Sequence, residues 1–154
     1  MSSTLLKKDT ILYHGTVYNF EPTQIKTPCW FSTIKSEAIN HICYRHRGNT
    51  NGKILKYKVT KDIELLDISK NGELRLYMNS NGNYKLAKYI AKGKWSNKNG
   101  YINYPDQAEV MLVALNHIIY IDTEYVDLSH RVIYKRVGFD WRMKNDTKSC
   151  CALM

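Results

Sequence analysis

Long apolar runs are missing from this chain. The two most apolar stretches, Val110 to Leu115 and Ile118 to Ile121, fall far short of the roughly 20 residues that a helical membrane span needs. Met1-Ser2-Ser3-Thr4 does not begin a secretory h-region either, so the expectation is a protein that is made and kept in a cytosol and is not secreted. Proline occurs 3 times and glycine 8 times in 154 residues, which excludes a collagen-like chain. A hydrophobic fraction of 44% with 24% charged residues excludes a disordered polymer, and the length excludes a multidomain machine. The 4 cysteines, at 29, 43, 150 and 151, have no zinc-site spacing, and a disulfide scaffold is not expected.

Negative charge is also scarce. Against 23 Lys and Arg there are 14 Asp and Glu, a formal net charge of +9. No acidic residue lies between Glu73 and Asp106, whereas Arg75, Lys85, Lys88, Lys92, Lys94 and Lys98 all do, interleaved with Tyr77, Tyr84, Tyr89 and Trp95. Such a window is either a solvated face that keeps the chain soluble or a surface that attracts phosphates, nucleic acid or an anionic membrane.

Patterning predicts an irregular alternation of strands and helices. Thr10 to Tyr13 reads as a strand breaking into a turn at Gly15, and Trp30-Phe31 as a second short strand. Thr33 is placed to cap a helix running to about Arg45, with Ile34, Ala38 and Ile42 four apart on one face. Lys53 to Thr60 alternates lysine with apolar residues as a half-exposed strand does. Ile63 to Ile68 has strand character, and Lys70-Asn71-Gly72 reads as a turn. A short helix is expected from about Tyr84 to Gly93, then a surface loop to Pro105. Glu109 to Ala114, Ile118 to Ile121 and Arg131 to Val137 are the last expected strands. Segregation of this kind favours α+β over a doubly wound sheet.

Three segments carry candidate chemistry. In Tyr13-His14-Gly15-Thr16 a histidine at a strand end is followed by a glycine that lets backbone approach a ligand, although such a histidine is also commonly structural. Trp30-Phe31-Ser32-Thr33 sets two aromatics before two hydroxyls, suited to a flat heterocycle and a ribose, or else to core packing and a helix cap. In Asp106-Gln107-Ala108-Glu109, the carboxylate of Glu109 stands where an apolar strand starts, with Gln107 two residues earlier on the same face. A carboxylate fixed in this way can stabilise a developing positive charge, or form a surface ion pair.

Taken in order, over roughly Leu12 to Leu115, these segments resemble the ADP-ribosyltransferase superfamily, in its diphtheria-toxin and poly(ADP-ribose) polymerase-like branch. The resemblance implies an α+β fold, a split antiparallel β-sandwich with peripheral helices, over residues 1–141. It implies NAD as substrate, bound by His14, Gly15, Thr16, Trp30, Phe31, Ser32 and Thr33, with His41 or Tyr44 in place of the family's sandwiching tyrosine. Glu109, Gln107 and His14 are the implied catalytic residues: Glu109 on the ribose 2′-hydroxyl, His14 on the adenosine-side ribose and Gln107 facing the acceptor. Gln-x-Glu belongs more to the family's arginine-led branch, which leaves the target residue open. A protein acceptor is expected, with nucleic acid less favoured. A lipid-anchored binding module without activity and an RNA-directed enzyme on the same fold are the alternative readings.

Residues 142–154 are expected to form a flexible tail. It ends in Cys151-Ala152-Leu153-Met154, the pattern of a prenylation site of the farnesyl type. One lipid attaches only marginally, so Cys150 is the expected second, palmitoylated site, and a eukaryotic prenyltransferase and the cytosolic face of a membrane are the expected partners.

Overall fold

The computed structural model describes residues 2–45, 49–93, 98–103 and 108–129, together with the backbone of 134–137 and 140–143. Eight strands form one mixed sheet: β1 (Ser3–Leu6), β2 (Ile11–Thr16), β3 (Cys29–Ser32), β4 (Asn51–Val59), β5 (Ile63–Asp67), β6 (Gly100–Asn103), β7 (Glu109–Leu112) and β8 (Ile118–Asp127). Their spatial order is β1-β5-β6-β7-β3-β2-β4-β8. Every pairing is antiparallel except β5 with β6, so the wholly antiparallel arrangement expected above is corrected at that pair. Two further strands, β9 (Tyr134–Val137) and β10 (Asp140–Met143), form a separate hairpin pair. β10 runs through position 142, where the tail was expected to begin. The helices are α1 (Lys35–Arg45), α2 (Gly72–Asn81) and α3 (Asn83–Ala91). The fold is therefore α+β.

Period-two alternation explains how the layers assemble, because neighbouring side chains on a strand face opposite sides. Leu12, Phe31, Leu55, Tyr57, Val59, Ile63, Leu65, Ile102, Val110 and Leu112 meet in one buried cluster on the inner face. On the outer face of one half, Ile54 and Val126 pack against Ala38, Ile39, Ile42 and Cys43 of α1. On the outer face of the other, Leu66, Tyr101 and Met111 pack against Leu74 and Met78 of α2 and Leu86, Ala87 and Ile90 of α3. Each buried aliphatic side chain contributes on the order of 1.5–3 kcal/mol. Helix α1 buries residues 38, 39, 42 and 43, whereas Ile34 lies just ahead of it and is 38% exposed, so the apolar stripe begins a turn later than its spacing suggested.

Four local expectations are corrected. β2 continues through Gly15 to Thr16 instead of turning there. Asn71-Gly72 opens α2 instead of forming a turn, because the Asn71 side chain donates to the Ser2 and Asp67 carbonyls at 2.7 and 2.6 Å and accepts the Ser2 amide at 3.0 Å. β6 lies within the segment read as a surface loop, and all four of its residues are buried. Its first residue, Gly100, has φ +142, and a β-carbon there would overlap the Met111 carbonyl, so only glycine lets β6 lie beside β7. Strand β1 was not anticipated.

Candidate active site

The sheet is weakest between β2 and β3. Their ladder is the single pair Tyr13↔Ser32, whereas β2 and β4 share six and β3 and β7 share four. Beyond that pair the strands part, and a cleft of about 730 Å³ opens between them. One side chain spans the opening: His14 Nδ1 donates to the Trp30 carbonyl at 2.7 Å. A carbonyl only accepts, so Nδ1 carries a proton, and Nε2 is an acceptor when the ring is neutral. The ring is held by edge contacts with Phe31 and Phe20, at centroid distances of 5.8 and 6.2 Å.

One wall of the cleft is α1. Glu37, Ala38, His41, Tyr44 and Arg45 recur at helical spacing and all line it. Gly15 lets this helix come close, because a β-carbon there would strike the Ala38 carbonyl and lie 2.7 Å from Ile42 Cγ1. The glycine thus serves helix packing first, and its backbone lines the cleft as a result.

Trp30 and α3 build the opposite wall. The Trp30 indole N–H donates to the Tyr101 hydroxyl at 3.1 Å, and its ring lies 6.4 Å from that of Tyr84 at 32°. Of the two adjacent aromatics, Trp30 is half-buried at the cleft. Phe31 is only 3% exposed and belongs chiefly to the inner core. Ser32 and Glu109 face each other across the β3–β7 ladder. The Ser32 hydroxyl accepts the Ile34 amide at 3.0 Å just ahead of α1. Glu109 Oε1 accepts from Asn83 Nδ2 at 3.2 Å, so the carboxylate is held between a strand start and the first residue of α3. Thr33 ties the same corner together through its amide, which donates to the Ala108 carbonyl at 2.8 Å.

Cys29 also reaches the cleft, 3.6 Å from His14 Nδ1. Burial pushes its thiol up to about 12, outweighing the opposing hydrogen bond from the Trp30 backbone, so it stays a neutral thiol and not a nucleophile at neutral pH.

The cleft therefore gathers His14, Gly15, Trp30, Phe31, Ser32, His41, Tyr44 and Glu109 from segments far apart in sequence. Thr16 and Thr33 do not line it, and the Thr16 hydroxyl instead accepts the Tyr18 amide at 3.1 Å. Gln107, Cys150 and Cys151 lie outside the described residues. Sequence reasoning missed Asn83, which orients Glu109, and Tyr101, which orients Trp30. It also missed Glu37 and Arg45, whose spacing from His41 was a signal that could have found them. Among the described residues no group of three or more His, Cys, Asp or Glu could hold a metal ion, and no helix is long and apolar enough to cross a membrane. Chemically, the arrangement offers an aromatic wall to a flat heterocycle, an imidazole acceptor and a fixed carboxylate. Comparison with protein-family models, curated proteins and solved structures finds no match to this chain.

Proposed function

We propose that this chain is an NAD-dependent ADP-ribosyltransferase on an ADP-ribosyltransferase-like fold, tethered by its C-terminal cysteines to the cytosolic face of a membrane. One observation carries the reading: His14, Trp30, Ser32 and Glu109, from three distant segments, line a single cleft at the point where the sheet divides. In the proposed reaction the bond between nicotinamide and ribose breaks, and nicotinamide departs with the bonding electron pair. The ribose is left with oxocarbenium character. An acceptor nucleophile then attacks the anomeric carbon and gives up its proton. Glu109 bonds the ribose 2′-hydroxyl and stabilises the cation electrostatically, an effect that matters most in the transition state. The Nε2 atom of His14 accepts from a ribose hydroxyl, and Trp30 provides a face for nicotinamide.

The test is incubation with labelled NAD and a eukaryotic lysate, comparing the parent with Glu109→Gln. Transfer should fall by about 100-fold or more, with NAD affinity kept within a few fold, because the lost interaction belongs to the chemical step. Equal transfer by the two proteins would remove Glu109 from the mechanism, and no NAD binding by the parent would remove the reading.

A further inference from the structure

Helix α3 turns one stripe, Leu86, Ala87 and Ile90, into the core. On the opposite stripe Lys85 and Lys88 follow one another at helical spacing, and Lys92, the residue that caps the helix C-terminus, continues the row, all three exposed. None of the three pairs with a carboxylate among the described residues. Other cations of the acid-poor window are engaged elsewhere: Lys98 pairs with Glu64, and Arg75 donates to the Ser69 carbonyl at 3.3 Å. At the start of the stripe Tyr84 is 58% exposed, with the Lys88 ammonium 4.5 Å from its ring centroid. Lysines near a helix C-terminus favour its dipole, but that accounts for neither Lys85 in the first turn nor an exposed tyrosine.

From this juxtaposition we propose that α3 is a docking face for single-stranded nucleic acid, with phosphates along Lys85, Lys88 and Lys92 and a base stacked on Tyr84 at the rim of the cleft. Cations spaced along a line and an adjoining aromatic ring are the two components of sequence-tolerant single-strand binding. A lipid headgroup uses the cations without the ring. A duplex hides its base faces. Tyr84 lines the cleft that holds Glu109, so a docked strand leads directly to that carboxylate. Binding on this face needs no transferase chemistry, so the inference and the reaction proposed above can fail separately.

Fluorescence anisotropy of the full chain tests it, with a labelled oligothymidylate and oligouridylate, a duplex of matching length, and phosphatidylcholine vesicles with and without phosphatidylserine. Single strands should bind best. The logarithm of their affinity should fall with the logarithm of salt concentration at a slope of about −2, as three phosphate contacts predict. The triple substitution Lys85→Gln, Lys88→Gln, Lys92→Gln should bring that slope close to zero. Tyr84→Ala should weaken binding by about 5-fold or more while leaving the slope unchanged, and circular dichroism confirms that each variant is folded. Four results each overturn the proposal: no single-strand binding by the parent, an unchanged slope in the folded triple variant, equal binding of duplex, or binding confined to phosphatidylserine vesicles.

Discussion

A single methyl group is enough to probe how α1 is seated. In Gly15→Ala the new β-carbon meets a backbone carbonyl of the helix, which cannot move without carrying α1 with it. Gly52→Ala is the matched control, because the nearest atoms, Leu128 Cδ1 and Ile42 Cδ1 at 3.1 and 3.2 Å, are the ends of flexible side chains. Urea unfolding should show a loss of about 1–3 kcal/mol or more for Gly15→Ala and a clearly smaller one for Gly52→Ala. Equal losses would mean that the helix yields. Cys29 makes a second prediction at this scale. Its thiol is held near 12 in the folded protein against 9.0 ordinarily, so the folded state holds its proton more tightly than the unfolded state does. The resulting stabilisation is complete below about pH 9 and is lost as pH rises from there towards about 12, at up to about 1.4 kcal/mol per pH unit. Burial raises the Tyr57 hydroxyl as well, which acts in the same direction above about pH 10. Between pH 8 and 10, Cys29→Ala should therefore lose less stability than the parent, and identical pH profiles would refute the assignment.

Among the elements, the least legible strand organises the site. β6 carries only Tyr101 and Ile102 as apolar residues, one for each face, so a four-residue strand leaves no period to detect. Its polar, glycine-bearing flanks pointed to a loop. What makes it a strand is the neighbours on both sides, and those are tertiary facts. Longer or bounded elements were readable. Helix α1 has its apolar stripe, β4 alternates from Leu55 to Val59, and β7 starts at the glutamate that the apolar run makes conspicuous. The same contrast holds within the cleft. His14, Trp30, Ser32 and Glu109 stand beside sharp local signals, whereas Asn83 and Tyr101 acquire their roles through partners 26 and 71 residues away. Tyr101→Phe tests β6 as a support for the cleft. Losing the hydroxyl leaves the Trp30 indole N–H without that acceptor, which should cost about 1–2 kcal/mol. It should also loosen the indole, so the ligand-induced change in tryptophan fluorescence should shrink relative to the parent. An unaltered response would show that Trp30 is positioned by packing alone.

Across the whole molecule, charge is arranged by face. On the outer side of the β4–β8 pair, Glu124 lies between Lys35 at 2.5 Å and Lys56 at 3.5 Å, and these hydrogen bonds and charges hold its carboxyl below the usual range. These groups are only partly buried, so solvent screens the cluster, which contributes little to stability and is weakened by salt. The α3 face, by contrast, keeps its lysines without acidic partners among the described residues. The single β2–β3 pair has a mechanical consequence. A sheet joined across its middle by one backbone rung, with the His14–Trp30 hydrogen bond beside it, should flex there more readily than at its fuller ladders, and a molecule wedged into the opening, touching His14 on one leaf and Trp30 on the other, should act as a rivet. Stiffening should then reach both leaves at once. If NAD is that molecule, as proposed, saturating it at 100 times its dissociation constant should raise stability by about 2.7 kcal/mol, and amide exchange should slow in β2–β4 and in β3–β7 together. Slowing confined to one leaf would mean that the ligand rests on a wall without closing the hinge.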